Sequence, residues 1–173
     1  LLWVDRGRSY LPNMNDLAFI KQNMNLPSAT SSRSALVVLS GLPGSGKTHF
    51  ARQLVKQIPA TSLESDFIRK TLVMHPVYSG AENARVFRTI HALAAELLAD
   101  GIPVIFDATN LIRRNRRHLY KISATTKAKL IILELSAPEK VIAQRLDRRT
   151  KGLSISGYSD ADMSVYRKLS ASS

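Results

Sequence analysis

The chain of 173 residues has 25 lysines and arginines against 13 acidic residues, which gives a formal net charge of +12. With 45% hydrophobic residues it can bury a core, which excludes disorder of the whole chain. No apolar run approaches the roughly 18 residues of a membrane-spanning helix, and the absence of cysteine excludes disulfides and cysteine-ligated zinc. The basic charge predicts an anionic partner, such as a nucleotide, a nucleic acid or an anionic lipid; a solvated basic surface is the alternative.

Residues 1–34 differ in character from the rest of the chain, and we predict them as a flank or linker, the end of a preceding domain in a longer polypeptide. Residues 15–24 have the pattern of a short amphipathic helix, and a small polar stretch at 27–32 comes after it. Residues 35–173 are predicted as one domain. No secretory signal is visible at Leu1, and with cysteine absent this predicts a cytoplasmic protein.

From Ala35 onward, short apolar runs alternate with helical patterns. The predicted strands are residues 35–40, 61–63, 103–106 and 130–135, and the predicted helices are residues 48–58, 81–100, 113–125, 138–149 and 159–169. Such alternation predicts an α/β fold, a parallel sheet with helices on both faces. Ligands of these sheets bind beyond the carboxyl ends of the strands, where the polar residues of this sequence fall.

The first strand leads into a phosphate-binding loop, Gly41-Leu42-Pro43-Gly44-Ser45-Gly46-Lys47-Thr48, which matches G-x-x-x-x-G-K-[ST] without a gap. Its position between a strand and a helix is the context that supports the motif. The glycines let backbone N–H groups surround a β-phosphate, Lys47 reaches the β- and γ-phosphates, and the Thr48 hydroxyl completes the shell of Mg²⁺. The loop therefore predicts binding of a nucleoside triphosphate with magnesium.

Asp66 and Arg69 come after the second predicted strand and share a face if a helix begins there. A carboxylate beside the phosphate loop can accept the proton of an attacking hydroxyl, and an arginine one turn later can hold an anionic acceptor group. The alternative is a helix-capping aspartate followed by a solvated arginine.

The third predicted strand ends in Phe106-Asp107-Ala108-Thr109-Asn110. Asp107 suits an outer-shell magnesium ligand at the carboxyl end of the strand, and Thr109 and Asn110 can orient substrate or phosphate. A turn stabilised by local side-chain hydrogen bonds is the alternative.

The chain also contains two basic clusters. Arg113–Arg117 has four arginines in five residues at a predicted helix start, where the helix dipole disfavours them, so we interpret the cluster as a nucleic-acid or phosphate contact. The second cluster, Arg145–Lys151, predicts an arginine-bearing lid near residues 145–158 over the triphosphate. A solvated face and a cationic helix end are the respective alternatives. The four histidines show no metal-ligand spacing.

The phosphate loop, Asp66-x-x-Arg69, Asp107-Ala-Thr-Asn110 and Arg145-x-x-Arg148-Arg149 together resemble the P-loop kinases of the polynucleotide 5'-hydroxyl kinase and zeta-toxin-like group, over about residues 35–169. The resemblance implies a P-loop NTPase fold like that of the nucleoside kinases, with ATP as donor and Mg²⁺. Members usually have a further strand after the lid helix, which implies that the last strand is missing from this chain.

The resemblance also implies a role for each matched residue. Asp66 would be the general base, and Asp107, with Thr48, would support magnesium. Arg69 and Asn110 would bind the acceptor. Arg149 would act on the donor phosphates during transfer, with Arg145 and Arg148 as its neighbours.

We therefore expect an ATP-dependent kinase whose acceptor is the 5'-hydroxyl of a polynucleotide. The charge favours a polyanion, although the one Trp, five Tyr and five Phe show no obvious platform for stacked bases in the sequence. The alternatives are a small-molecule kinase acting on a sugar, nucleoside, antibiotic or nucleotide sugar, a regulatory NTPase, and a non-catalytic nucleotide-binding module. No N-K-x-D guanine motif is present, and a binding module has little use for Asp66.

Overall fold

The computed structural model describes residues 14–27, 34–109, 116–153 and 158–171. These ranges contain, in chain order, α1 (Met14–Gln22), β1 (Ala35–Ser40), α2 (Lys47–Leu54), β2 (Thr61–Glu64), α3 (Ser65–Leu72), α4 (Gly80–Ala99), β3 (Val104–Asp107), α5 (Arg117–Thr126), β4 (Lys129–Glu134), α6 (Glu139–Thr150) and α7 (Met163–Ser170).

The strands form one parallel sheet in the order β2-β3-β1-β4. In the central strand β1, Val37 lies opposite Ile105 on one side and Ile131 on the other. Because every pairing is parallel, the carboxyl ends of β1, β2 and β3 meet at one edge of the sheet. This edge carries the phosphate loop and Asp107, as the sequence predicted for the binding edge, and it also carries Glu64.

Helices cover both faces of the sheet because the apolar side chains of its strands alternate between two cores. Leu36 and Val38 of β1 pack with residues of α1, α3, α4 and α5 in the larger core. Val37 and Leu39 pack against α2 on the opposite face. The predicted parallel α/β architecture is thereby confirmed. β4 lies at the edge of the sheet and is less covered, with Ile132 39% exposed.

Helix α1, which lies within the predicted flank of residues 1–34, packs on the domain. Ile20 is fully buried in the larger core, and the Arg85 guanidinium on α4 pairs with the Asp16 carboxylate through two bonds of 2.8 and 2.7 Å. Lys21 forms a further ion pair with Glu96. A bidentate pair and a buried apolar anchor hold α1 on α4.

The end of α2 and the start of α7 each differ by four residues from the prediction. Helix α2 ends at Leu54, four residues before the predicted end, and a series of turns connects it to β2. Helix α7 begins at Met163 instead of near residue 159, because the Asp162 carboxylate accepts hydrogen bonds from the N–H groups of Ser164 and Val165. Residues 158–162 are thus left free to make other contacts.

Helices α6 and α7 pack on each other next to the phosphate loop. Ile142, Leu146 and Tyr166 form a third small core to which Leu42 of the loop contributes. Among the described residues, no helix has the length and apolar character needed to cross a membrane.

Candidate active site

The phosphate loop has a backbone that only glycine adopts easily. Gly41, Gly44 and Gly46 have φ angles of 149°, 82° and 105°. At Gly41 there is no space for a side chain, since a Cβ atom would lie 2.3 Å from the Leu135 carbonyl oxygen. The Gly41 N–H also donates to the Thr109 carbonyl oxygen at 3.1 Å. The loop is thus fixed between the ends of β3 and β4.

Lys47 lies across the mouth of the loop. Its Nζ donates to the carbonyl oxygens of Gly41 and Leu42 at 2.9 and 3.0 Å. Burial lowers the pKa of Lys47, while the nearby carboxylates of Asp107 and Asp66 act to raise it. The Ser45 hydroxyl is buried without a hydrogen-bond partner, and no side chain caps the first N–H groups of α2. These donors fit the phosphates of a nucleotide.

Asp107 and Thr48 meet where the phosphate loop passes the end of β3. The Thr48 hydroxyl hydrogen-bonds to the Asp107 carboxylate, and burial raises the pKa of Asp107. The other carboxylate oxygen, Oδ2, is buried and has no partner. A hydroxyl beside an unpartnered carboxylate oxygen suits the oxygen-preferring Mg²⁺ ion. Across the described part of the chain, no three acidic or histidine side chains form a metal cluster, so these two residues fit magnesium only together with phosphate and water ligands.

Asp66 lies in the first turn of α3, so the helix that the Asp66–Arg69 spacing required is present. Its side chain is partly buried, and its charge acts on Lys47, Asp107 and Tyr78. Asp66, Asp107 and Lys47 are therefore brought together at one end of the sheet, as the sequence predicted.

Glu64 is a fourth charged group at this edge, and sequence reasoning missed it. It lies opposite Asp107 in the β2–β3 ladder, pairs with Arg52 of α2 at 3.4 Å and accepts a hydrogen bond from the Tyr158 N–H. Burial, reinforced by the nearby Asp107, raises the pKa of Glu64. The signal that identified Asp107, an acidic residue ending a strand, applies equally to Glu64.

Arg69 is not arranged as the free anion ligand that the sequence predicted. Only 4% exposed, it forms an ion pair through Nη1 with Glu82, and its Nη2 donates to Asn83 Oδ1 at 2.6 Å. Its guanidinium also lies 4.6 Å from the centre of the Tyr78 ring. These contacts tie α3 to the start of α4 and pair the charge on Arg69 with Glu82, while Arg69 Nε is buried without a partner. The acceptor-binding role of Arg69 gains no support from this geometry.

Tyr78 is held in a strained conformation beside this ion pair. Its φ of 55° is unusual for a residue with a side chain. The Glu82 carboxylate accepts its N–H at 3.0 Å, Asn83 Nδ2 donates to its carbonyl oxygen at 3.2 Å, and its hydroxyl donates to Asp160 Oδ2 at 2.9 Å. Burial and the bond to Asp160 raise the pKa of Tyr78 to about 12, so the phenol stays protonated.

Two arginines of α6 face the phosphate loop. Arg145 Nη1 donates to the Gly44 carbonyl oxygen at 2.9 Å, and Arg149 Nη1 donates to the Ala161 carbonyl oxygen at 3.3 Å. The charge of Arg149 also acts on Lys47. The structure thus places both predicted donor-side arginines near the loop, while Arg148 is exposed.

Several predicted residues lie outside the described ranges. Asn110, the first three residues of the Arg113–Arg117 cluster and residues 154–157 of the predicted lid belong to this group. Arg117 begins α5 and is exposed.

A protein-family model described as an AAA domain matches residues 36–171 of this chain. The chain belongs to this AAA domain family. The L-seryl-tRNA(Sec) kinase of Methanococcus maripaludis is 25% identical over 112 residues, which are 64% of this chain and 44% of that protein. A chain of the Pnkp1/Rnl/Hen1 RNA repair complex is 25% identical with a TM-score of 0.64, and the match covers 82% of this chain and 44% of that chain.

The fold is also that of the APS kinase of Mycobacterium tuberculosis in complex with AMPPNP and APS. The TM-score is 0.55 at 24% identity, with 77% of this chain and 82% of that chain covered. The resemblance to P-loop kinases and the P-loop NTPase fold are therefore confirmed. The chain spans less than half the length of the seryl-tRNA kinase and of the RNA repair protein.

Proposed function

We propose that this protein is an ATP-dependent kinase that transfers the γ-phosphate to an acceptor hydroxyl, the 5'-hydroxyl of a polynucleotide being the first candidate. One observation carries the proposal. Lys47 of the phosphate loop lies close enough to Asp66, Asp107 and Arg149 for their charges to act on its pKa, at the same end of the sheet. A cation for the phosphates, a carboxylate for a proton and an arginine for transferred charge are the parts that phosphoryl transfer uses.

On the donor side, the uncapped N–H groups at the start of α2 and the Lys47 ammonium bind the β- and γ-phosphates. For this, Lys47 exchanges its bonds to the Gly41 and Leu42 carbonyl oxygens for bonds to phosphate oxygens. Mg²⁺, when bound, neutralises charge on the β- and γ-phosphates, and Thr48 and Asp107 are the residues that would hold it.

On the acceptor side, Asp66 binds the acceptor hydroxyl and takes up its proton as the oxygen attacks the γ-phosphorus. A bond forms between the acceptor oxygen and phosphorus, the bond from phosphorus to the β–γ bridging oxygen breaks, and ADP leaves. Arg149 stabilises the charge on the transferred group. Glu64 and Arg52 support the backbone that presents Asp66.

A polynucleotide acceptor agrees with the net charge of +12 and with the exposed Arg117 at the start of α5. The two relatives at 25% identity are described as a tRNA-linked kinase and a member of an RNA repair complex. A small-molecule kinase is the second candidate, because the ion pair between Arg69 and Glu82 leaves that arginine neutralised as a ligand for an acceptor phosphate.

Transfer of label from γ-³²P-ATP in the presence of Mg²⁺ tests the proposal. A 5'-hydroxyl oligonucleotide is offered beside separate panels of sugars, nucleosides, aminoglycosides and nucleotide sugars. Label on the oligonucleotide supports the proposal, and label confined to a small molecule selects the second candidate. Release of labelled phosphate to water with no labelled acceptor would contradict both and indicate an NTPase.

A further inference from the structure

The rings of Phe67 and Tyr158 pack on each other, and the Tyr78 hydroxyl bonds to Asp160, two residues after Tyr158. We call these three side chains the aromatic wall. Phe67 is the next residue after the candidate base Asp66, and its ring centroid lies 5.0 Å from that of Tyr158 at an angle of 59°. Tyr78 lies close enough to Asp66 for that carboxylate to act on its pKa. Tyr158 and Tyr78 are 41% and 44% exposed, so both rings keep surface open to solvent.

The position of the wall is explained by the chemistry of the base. An acceptor hydroxyl must come within about 3 Å of the Asp66 carboxylate to lose its proton. The next group of the acceptor, one sugar ring away, then has to contact the residues that flank Asp66. Phe67 follows Asp66 on α3 and is partly buried against the larger core, and Tyr158 packs on its ring from the segment between α6 and α7.

The cations near Asp66 are already paired with carboxylates. Arg69 is paired with Glu82, and the nearby Lys70 ammonium is paired with Asp160 at 2.7 Å. Both cations thus already have a carboxylate partner, and Arg69 Nε, which has no hydrogen-bond partner, is buried. The recognition surface that remains is aromatic, and aromatic rings recognise planar bases by stacking.

The wall is also held in place before any acceptor arrives. The Tyr158 N–H is anchored on the Glu64 carboxylate, and Asp160 binds both Lys70 and the Tyr78 hydroxyl. The strained backbone at Tyr78 is maintained by Glu82 and Asn83. A strained backbone conformation that is held by surrounding hydrogen bonds is common at functional sites, because it positions side chains before a ligand binds.

We propose that the aromatic wall is a nucleobase-stacking site that determines acceptor specificity, so that the acceptor is a nucleoside unit recognised by its base and not by an adjacent phosphate. The proposal rests on the kinase function proposed above and narrows its acceptor. It also reverses the expectation for Arg69: a phosphate next to the acceptor hydroxyl gives no advantage. The same chemistry accommodates the terminal unit of an oligonucleotide or a free nucleoside.

A double comparison tests the proposal. Wild-type protein and the Tyr158→Ala variant are assayed with ATP and Mg²⁺ on two 5'-hydroxyl oligonucleotides, one with a normal terminal base and one abasic at that position. Loss of stacking raises the acceptor KM of the variant for the normal oligonucleotide about tenfold or more, with ATP KM unchanged. The abasic oligonucleotide is a poor acceptor for wild type and is no poorer for the variant.

Three controls accompany this comparison. Tyr158→Phe keeps a ring and restores the acceptor KM. Phe19→Ala removes an aromatic side chain of similar exposure, 50%, from α1 and leaves both oligonucleotides unaffected. A free nucleoside should be phosphorylated with the same KM whether or not it carries a 3'-phosphate. Comparing the KM of the nucleoside with that of the oligonucleotide shows whether the acceptor is a free nucleoside or the terminal unit of an oligonucleotide.

An independent readout uses a 5'-deoxy oligonucleotide with 2-aminopurine at its terminus, which cannot accept phosphate. Quenching of the 2-aminopurine fluorescence by wild type but not by Tyr158→Ala would support base stacking, whether or not phosphate transfer occurs. If stacking is seen without transfer to any acceptor, only the proposed kinase function is overturned. Equal losses on normal and abasic acceptors, or efficient transfer with no quenching, would overturn the stacking site and leave the kinase function standing.

Discussion

The Thr48 hydroxyl of the phosphate loop forms a hydrogen bond with the Asp107 carboxylate at the end of β3. This bond joins the first turn of α2 to the end of β3. A single contact therefore fixes the position of the phosphate loop relative to the carboxylate that would support magnesium. Since Asp107 Oδ2 is buried without a partner, the carboxylate has capacity left for a cation or its water.

Thr48→Val tests this pairing. The variant keeps the shape of the side chain but leaves the buried Asp107 carboxylate without its donor, which we expect to cost about 1–3 kcal/mol of unfolding free energy. Calorimetric titration with ATP, with and without Mg²⁺, should show that the variant loses most of the gain in affinity that magnesium gives. An unchanged effect of magnesium would remove Thr48 from the metal site.

Gly41→Ala tests the fixed start of the loop. The new Cβ would meet the Leu135 carbonyl oxygen, and the φ of 149° disfavours a side chain in any case. We expect lower thermal stability and loss of ATP binding by calorimetry. The matched control is Gly80→Ala at the start of α4, where a Cβ meets nothing within 4 Å, and it should be neutral or slightly stabilising. Normal ATP binding by Gly41→Ala would show that the loop tolerates a different path.

Arg69→Ala tests whether that residue stabilises the fold or binds the acceptor. Removing the guanidinium leaves the buried Glu82 carboxylate without its ion pair, and breaking such a pair typically costs about 3–5 kcal/mol. Urea unfolding should therefore show a large loss of stability. Lys151→Ala removes a cation from an exposed ion pair with Asp147 and should cost little. Unchanged stability together with a raised acceptor KM would restore Arg69 as an acceptor ligand.

The positions of Lys47, Asp66 and Asp107 were predictable because each lies in a local pattern at the end of a strand or the start of a helix. Parallel pairing then brings the carboxyl ends of the strands together, irrespective of the conformation of the loops. The sheet needed no information beyond the alternation of apolar runs and helical patterns.

The partners of Arg69 and Asp160 were not predictable in this way. The contact of Lys70 with Asp160 joins residues 90 positions apart, and it depends on how the segment before α7 returns across α3. Arg69 fitted an anion-binding motif by spacing alone, while the neutralising Glu82 comes from the next helix. The aromatic wall was missed for the same reason, because its rings lie far apart in the sequence.

His91 makes stability depend on pH. Its ring stacks on Phe106 and His118, at centroid distances of 5.7 and 5.0 Å. Burial, with a smaller contribution from His118, lowers the pKa of His91 from 6.5 to about 3. Because the unfolded chain then binds a proton more readily than the folded one, the free energy of unfolding should fall as pH drops below 6.5, by up to about 1.4 kcal/mol per pH unit.

Urea unfolding of wild type and His91→Leu between pH 7 and 4, about three pH units, measures this contribution. The variant should show a flatter dependence on pH, whereas His75→Leu, at an exposed position, should keep the wild-type slope. Equal slopes for wild type and His91→Leu would assign the pH dependence to other groups.

The most direct test of the proposed kinase function is to separate ATP binding from phosphate transfer at Asp66. ATP affinity is measured by calorimetry and transfer of ³²P to the acceptor is measured in a single turnover, for wild type and Asp66→Ala. We expect transfer to fall by about 10²–10⁴-fold while ATP affinity changes less than about twofold, because the proposed base acts on the acceptor hydroxyl and not on the donor. Transfer at the wild-type rate in Asp66→Ala would show that Asp66 is not the general base of a kinase.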